Sequence, residues 1–131
     1  MPHSLSLRVY YEDTDLAGIV YYANYLKFIE RGRSEWVRAL GVDQGALRRD
    51  TGIVFAVRHL EADYLRPAVF DDWLTVATSV LPITGTRIVL DQAVLRDGVT
   101  LFLAKVTLVP MGADGRAARL PAELRQRLSQ G

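Results

Sequence analysis

One long amphipathic segment limits the folds that this chain can adopt. From residue 24 to residue 40, apolar side chains and one glycine recur every three or four positions: Tyr25, Phe28, Ile29, Gly32, Trp36 and Leu40. This spacing places them on one face of an α-helix. Gly32 lies in the middle of that face, where a helical glycine costs about 1 kcal/mol against alanine. The sequence therefore predicts that the helix passes close to another backbone, such as a sheet wrapped around it.

The ends of this helix carry ordinary boundary signals. Asn24 is a candidate N-cap, although the helix could begin one turn earlier, and Gly41 is expected to end it. On the polar face, Arg31 and Glu35 have the spacing of an i,i+4 ion pair. A short second helix is expected over residues 43–49.

The rest of the chain has the composition of β-strands. One strand is expected before the helix, over residues 5–11, and the others follow it over 53–64, 73–81, 86–95 and 101–109. The Arg96-Asp97-Gly98 stretch is a strong hairpin signal. A C-terminal helix is expected over 120–128, with Pro121 in its first turn. This order predicts an α+β fold with an antiparallel sheet of about five strands.

Apolar residues on the predicted strands exceed what one helix should cover. The residues concerned are Leu74, Val76, Leu101 and Leu103. Since a single sheet can bury only one face against its own helix, we expect the chain to associate through the sheet edges or the helix.

Composition restricts the available chemistry. The 131 residues include no cysteine, which excludes a disulfide scaffold, a Cys-ligated zinc site and a Cys nucleophile. The formal net charge of +1 argues against a general nucleic-acid binder. No segment approaches the about 18 uninterrupted apolar residues of a membrane helix, and residues 1–7 lack the pattern of a secretory signal. We therefore expect a single cytoplasmic domain over residues 1–131, without membrane insertion or metal.

The segment before the helix concentrates reactive groups. Glu12, Asp13 and Asp15 precede the helix start, and Ala17 and Gly18 lie where backbone amides could be uncovered. A helix N-terminus has unpaired N–H donors that can stabilise an oxyanion on a carbonyl. A nearby carboxylate could attack that carbonyl or activate a water. From the residues alone, helix capping by these acids is the more ordinary explanation, and for Asp13 we favour a role as turn former or cap.

Other catalytic signatures are missing from the sequence. It contains no G-x-S-x-G nucleophile elbow, no P-loop and no G-x-G-x-x-G motif. His3 and His59 do not have a metal-binding spacing, and His59 is expected to be structural or solvated.

The segment before the helix also carries a recognisable motif. Residues 11–15 (Tyr-Glu-Asp-Thr-Asp), 18–22 (Gly-Ile-Val-Tyr-Tyr) and 24–26 (Asn-Tyr-Leu) resemble the hotdog-fold acyl-CoA thioesterases of the 4-hydroxybenzoyl-CoA thioesterase family. Within that family the chain is most similar to the Tol-Pal-associated acyl-CoA thioesterases. The resemblance continues through residues 30–35 and 64–68 and covers nearly the whole chain. It implies a hotdog fold, with a long sheet wrapped around one central helix, in a homodimer or homotetramer.

The resemblance implies roles for individual residues. Asp15 matches the family's catalytic carboxylate, acting as general base on water or as nucleophile through a mixed anhydride. Tyr22 matches the position whose backbone N–H polarises the thioester carbonyl, with Gly18 and Ile19 nearby. Tyr11 matches a tyrosine that orients the acid or the water. No metal or bound cofactor is implied, because coenzyme A is part of the substrate.

One departure from the Tol-Pal-associated relatives concerns Tyr22, where many of them have a histidine. An imidazole proton shuttle is therefore unavailable at this position, whereas the backbone N–H is retained. The difference also leaves open a non-catalytic hotdog protein that binds acyl-CoA or acyl carrier protein in an envelope or lipid-synthesis complex. A hydratase or dehydratase would need His59. Another branch of hotdog proteins has its catalytic carboxylate in mid-helix, where this chain has Glu35, but an ion pair with Arg31 is the preferred interpretation of Glu35.

The remaining site predictions concern the substrate. Tyr21, Tyr25 and Phe55 are expected to line an apolar acyl pocket. Arg66 and Arg87 are candidates for binding the phosphates of coenzyme A. The expected partners are acyl-CoA, further copies of the chain and an acyl carrier protein.

Overall fold

The computed structural model describes residues 2–131, in which one antiparallel sheet wraps around the predicted helix. Its strands are β1 (His3–Arg8), β2 (Val54–Tyr64), β3 (Trp73–Val80), β4 (Ile88–Arg96) and β5 (Val99–Met111). Its α-helices are α1 (Asn24–Ala39), α2 (Gln44–Thr51) and α3 (Ala122–Ser129), and a 3₁₀ turn covers Tyr11–Asp13. The predicted α+β hotdog fold is confirmed.

The strand order in the sheet is β1-β3-β4-β5-β2. Strands β3, β4 and β5 follow one another through hairpins. Strand β2 precedes β3 in the chain but lies at the edge opposite β1, where it pairs with β5. The predicted hairpin after β4 is present, since Asp97 and Gly98 have φ angles of 51° and 77°, as a tight β-hairpin turn requires. The two edge strands, β1 and β2, each have one neighbour within the described residues.

Helix α1 packs directly onto the concave face of the sheet through its predicted apolar stripe. Phe28 and Trp36 are 1% and 2% exposed. A Cβ atom added to Gly32 would lie 2.6 Å from Val76 Cγ1, closer than any ordinary contact. This close approach confirms the predicted reason for a glycine in the middle of the helix.

A buried polar network accompanies this contact. The Gln92 side chain is 2% exposed, and its Nε2 donates to the Ile29 carbonyl at 2.8 Å and to Thr78 Oγ1 at 2.9 Å. Arg33 donates to Gln92 Oε1 at 3.2 Å. The network ties the middle of α1 to β3 and β4, because buried amides must find partners inside the protein.

Several predicted boundaries and pairs differ from the structure. Strand β1 ends at Arg8 rather than at residue 11, because the chain turns into the 3₁₀ segment that follows. The predicted pair of Arg31 with Glu35 is wrong, since Glu35 instead bonds Arg38 one turn further on. Pro121 is the N-cap of α3 and lies outside its first turn.

The predicted surplus of apolar strand residues is also mostly wrong. Leu74, Val76 and Leu101 are fully buried within the chain itself, and only Leu103 is exposed, at 44%. The three buried residues belong to the same core cluster as the apolar stripe of α1. Within residues 2–131, no helix is long and apolar enough to cross a membrane.

Candidate active site

Residues 14–20 form a tight loop, here called the acid loop, between the 3₁₀ turn and the start of α1. The Asp15 N–H donates to the Ile19 carbonyl at 3.0 Å, and the Gly18 N–H donates to the Asp15 carbonyl at 2.9 Å. Gly18 has a φ angle of 80°, which favours glycine over other residues. The loop therefore holds Asp15 at the base of a closed turn.

The Asp15 carboxylate is exposed and only partly engaged. Its Oδ1 accepts the Ala17 N–H at 2.9 Å, and its Oδ2 has no hydrogen bond or ion pair among residues 2–131. The Ala17 and Gly18 amides, expected to be uncovered, are thus both occupied by Asp15 itself. One oxygen is held by the loop, and the other is available to accept a proton or to attack a carbonyl.

The uncovered donors lie instead at the start of α1. The Tyr21 carbonyl accepts the Asn24 N–H at 2.8 Å and so points into the helix. Because the peptide unit is planar and trans, the Tyr22 N–H in the same unit points the opposite way, out of the helix end. In the described part of the chain, neither the Tyr22 nor the Ala23 N–H has an acceptor. These N–H groups add to the positive end of the helix dipole.

The carbonyl of Asp13 joins the acid loop to the helix start. It accepts the Tyr21 N–H at 2.9 Å and the side-chain Nδ2 of Asn24 at 2.9 Å. Asn24 is therefore not the N-cap that its position suggested, because it is the first helical residue and its side chain donates backwards to the loop. The Asp13 carboxylate accepts the Tyr10 N–H at 2.8 Å, which confirms its predicted role as a turn former.

Tyr25 supports the opposite side of the acid loop. Its hydroxyl accepts the Ala68 N–H at 3.0 Å, and the Ala68 carbonyl accepts the Val20 N–H at 2.9 Å. Its ring stacks on Phe102 with the centroids 5.0 Å apart. Burial raises the pKa of Tyr25. At 3% exposure, Tyr25 offers little surface to a substrate, so the prediction that it lines the acyl pocket is not supported within one chain.

Sequence reasoning missed Tyr64, the last residue of β2. Its hydroxyl donates to the Tyr22 carbonyl at 2.9 Å. Its ring contacts Tyr22 and Tyr25 edge-on, with centroids 6.2 Å and 5.5 Å away. Tyr64 belonged to a matching motif, but no signal in the sequence indicated contact with a residue so far along the chain.

Three further predicted tyrosines project outward near the acid loop. Tyr11, Tyr21 and Tyr22 are 84%, 45% and 62% exposed. Tyr11 packs edge-on against Phe70, with centroids 6.5 Å apart, beside an open groove of about 480 Å³. The Tyr11 hydroxyl makes no hydrogen bond within residues 2–131, so its predicted role toward Asp15 stays a prediction.

The predicted arginines lie at opposite ends of the sheet. Arg66 adjoins Pro67, whose carbonyl accepts from Arg96 at the end of β4. Arg87 precedes Ile88 at the other end of the same strand, about 30 Å from Arg96 at the usual rise per residue. Within one chain, only Arg66 is therefore on the side of the acid loop.

Two other candidates also lie away from the acid loop. Phe55 is near the start of β2, about 30 Å along the strand from Tyr64, and lines a separate groove of about 270 Å³. His59 is exposed on the edge strand, with Nε2 3.3 Å from Glu61 Oε1, as expected of a solvated side chain.

An antiparallel sheet around one helix, with a free carboxylate oxygen and free amides where that helix begins, defines the class of hotdog thioesterases. The sequence matches the Thioesterase-like superfamily over residues 9–128, and the chain belongs to this family. The family and fold predicted from the motif are thereby confirmed.

Individual relatives agree with this assignment. The acyl-CoA thioesterase YbgC of Haemophilus influenzae is 43% identical over 105 residues, covering 80% of this chain and 76% of its own length. The acyl-CoA thioester hydrolase YbgC of Escherichia coli is 39% identical over 103 residues, covering 79% of this chain and 76% of its own. The crystal structure of a probable thioesterase from Bartonella henselae matches with a TM-score of 0.89 and 38% identity, over 92% of this chain and 100% of that one.

Proposed function

We propose that this protein hydrolyses acyl-CoA thioesters with Asp15 as the reacting carboxylate and the Tyr22 N–H as the oxyanion donor. One observation carries the proposal: a carboxylate with an unengaged oxygen and an uncovered amide at the helix start lie on adjoining segments, which the Asp13 carbonyl joins by accepting the Tyr21 N–H and the Asn24 side-chain amide. The class of reaction is supported by relatives named acyl-CoA thioesterases, at 39% and 43% identity over most of the chain.

Two balanced routes use this arrangement. In the first, Asp15 Oδ2 takes a proton from water while the hydroxide oxygen bonds to the thioester carbon. In the second, Oδ2 itself bonds to that carbon, and water later cleaves the mixed anhydride. In both, the carbonyl oxygen gains negative charge that the Tyr22 N–H stabilises, the carbon–sulfur bond breaks, and the coenzyme A thiolate takes up a proton. The products are the free acid and coenzyme A.

A panel assay tests the proposal. Purified protein is given short-chain, long-chain and aromatic acyl-CoAs in the presence of EDTA, and the release of free thiol is followed. Asp15→Asn should lower turnover by at least about 100-fold, since the group that acts as base or nucleophile is lost. Glu12→Gln is the matched control, because it removes a neighbouring charge that makes no hydrogen bond in the described structure. Full turnover by Asp15→Asn would refute the site.

The second candidate function is a non-catalytic protein that binds acyl-CoA or acyl carrier protein. It is favoured by Tyr22 at the position where many Tol-Pal-associated relatives have a histidine. The same panel distinguishes the two, since tight binding of an acyl-CoA without thiol release from any substrate would support the binding protein.

We further propose that the working unit contains two or four copies and resides in the cytoplasm. Open edges of β1 and β2 and the exposed side chains of Leu16 and Trp73 support association. Phe55 and Arg87 would then reach substrate only from a neighbouring copy. Light scattering of the purified protein measures the number of copies in the assembly, and a monomer at working concentration would refute the proposed dimer or tetramer.

A further inference from the structure

A hydrogen bond from a distant side chain holds the residue that precedes α1. Tyr22 immediately precedes Ala23, the N-cap of α1, so the Tyr22 carbonyl lies before the first carbonyl of the helical hydrogen-bond series. Here the Leu26 N–H donates to the Ala23 carbonyl at 3.2 Å, and the Tyr22 carbonyl receives no backbone donor. Its hydrogen bond comes from the Tyr64 hydroxyl, at 2.9 Å. A side chain from the end of β2 thus supplies the hydrogen bond of a carbonyl that lies just outside the helix.

Tyr64 is itself held in a fixed position. It lies directly opposite Phe102 in the β2–β5 register, and their ring centroids are 4.9 Å apart. Tyr25, which stacks on Phe102, contacts the Tyr64 ring from another side. Because aromatic contacts restrict the ring, the hydroxyl is pre-oriented toward the helix start. Burial raises the pKa of Tyr64, which keeps the hydroxyl protonated as a donor.

The hydrogen bond from Tyr64 to the Tyr22 carbonyl affects the orientation of both uncovered amides, the N–H groups of Tyr22 and Ala23. The Tyr22 carbonyl shares a planar peptide unit with the Ala23 N–H, so Tyr64 sets the direction of that N–H. It also restrains the backbone of Tyr22, whose own N–H is the proposed oxyanion donor. In addition, a hydrogen bond to a carbonyl polarises its peptide unit and strengthens the N–H as a donor.

We propose that Tyr64 is a positioning residue that holds the first turn of α1 in the geometry that presents the oxyanion donors. This inference rests on the proposed thioesterase function. Tyr64 acts through the Tyr22–Ala23 peptide and does not itself touch the reacting atoms. The hydroxyl of Tyr64, rather than its ring, is the group that positions this peptide.

Tyr64→Phe tests the inference, since it deletes the hydroxyl and keeps the ring contacts. Loss of an oxyanion donor costs about 100- to 1000-fold in kcat, and a misplaced donor should cost less, about tenfold. We expect that loss in kcat with KM changed less than about twofold. The pH profile should keep its shape, because Asp15 is untouched. Restoring a donor, with 4-aminophenylalanine at position 64, should restore kcat.

Tyr10→Phe is the matched control, because Tyr10 is 61% exposed and its hydroxyl makes no hydrogen bond within residues 2–131. We expect its kcat to equal that of the unmodified protein. Wild-type kcat in Tyr64→Phe would overturn the inference while leaving the proposed function intact. An inactive unmodified protein across the acyl-CoA panel would instead overturn the proposed function.

A measurement without substrate keeps the inference testable in either case. In protein labelled with ¹³C at the Tyr22 carbonyl and ¹⁵N at Ala23, Tyr64→Phe should move the carbonyl resonance upfield, since the carbonyl loses its hydrogen bond. The Ala23 amide resonance should move with it. Unchanged resonances in a folded variant would overturn the inference.

Discussion

Replacing Gly32 by alanine measures how closely the central helix approaches the sheet. The added Cβ would lie 2.6 Å from Val76 Cγ1, 3.2 Å from Thr78 Oγ1 and 3.3 Å from Gln92 Nε2. Carbon atoms in favourable contact are about 3.5–4.0 Å apart, so α1 or β3 must shift by about 1 Å. Val76, Thr78 and Gln92 are all buried, so none of them can move aside into solvent.

Opposing effects set the size of the change. Alanine gains about 1 kcal/mol over glycine in helix propensity. Overpacking a core costs about 1–3 kcal/mol, and weakening the Gln92 hydrogen bonds costs about 1 kcal/mol for each bond lost. We therefore expect Gly32→Ala to lower the free energy of unfolding by about 1–2 kcal/mol overall.

Urea unfolding followed by tryptophan fluorescence, to which the buried Trp36 and the exposed Trp73 both contribute, measures this change at one protein concentration for every variant. Val76→Ala removes the clashing methyl groups, so the double variant Gly32→Ala/Val76→Ala should lose less stability than the two single variants added together. We expect the difference to be about 1 kcal/mol or more. A stabilised Gly32→Ala variant, or strict additivity, would show that the helix has room at this point.

Two further predictions concern an ion pair and a buried tyrosine. Arg96 lies 2.6 Å from Asp72, and the side chains are only 33% and 17% exposed, so Arg96→Leu should cost about 1–3 kcal/mol by stranding a partly buried charge. Arg49→Leu breaks an exposed pair and should cost less than about 1 kcal/mol in the same urea assay; equal costs would contradict this. Because burial raises the folded-state pKa of Tyr25, its contribution to stability is present below about pH 10 and is lost as the pH rises further. Tyr25→Phe should flatten that alkaline loss in unfolding measured from about pH 8 to about pH 11, and an unchanged slope would contradict the assignment.

The features predicted correctly from the sequence depend on local patterns. The spacing of apolar residues predicted the position of α1. Gly32 in the middle of that helix predicted that another backbone passes close to it, and the structure places β3 there. The Asp97-Gly98 turn could be predicted because it depends only on the positive φ angles of its own two residues. Asp15 was identified through a contiguous motif, and its roles as base or nucleophile stay predictions until the panel assay is done.

The features that were missed depend on contacts between distant parts of the chain. Tyr64 and Tyr22 are 42 residues apart, and nothing in either segment indicates that their positions meet. Asn24 was predicted to be a helix cap because asparagine favours that position, yet its side chain donates a hydrogen bond to the Asp13 carbonyl instead. The burial of Leu74, Val76 and Leu101 depends on which residues pack together in the core around α1, and the pattern along single strands does not contain that information.

The position of β2 at the far edge of the sheet has a consequence for how activity arises during synthesis. Asp15 and the amide groups of Tyr22 and Ala23 leave the ribosome early. The ring of Tyr64 acquires its support only when β2 docks on β5, which ends at Met111. The proposed support of Tyr22 by Tyr64 therefore forms only after residues 99–111 have been made, well after the segment that carries Asp15.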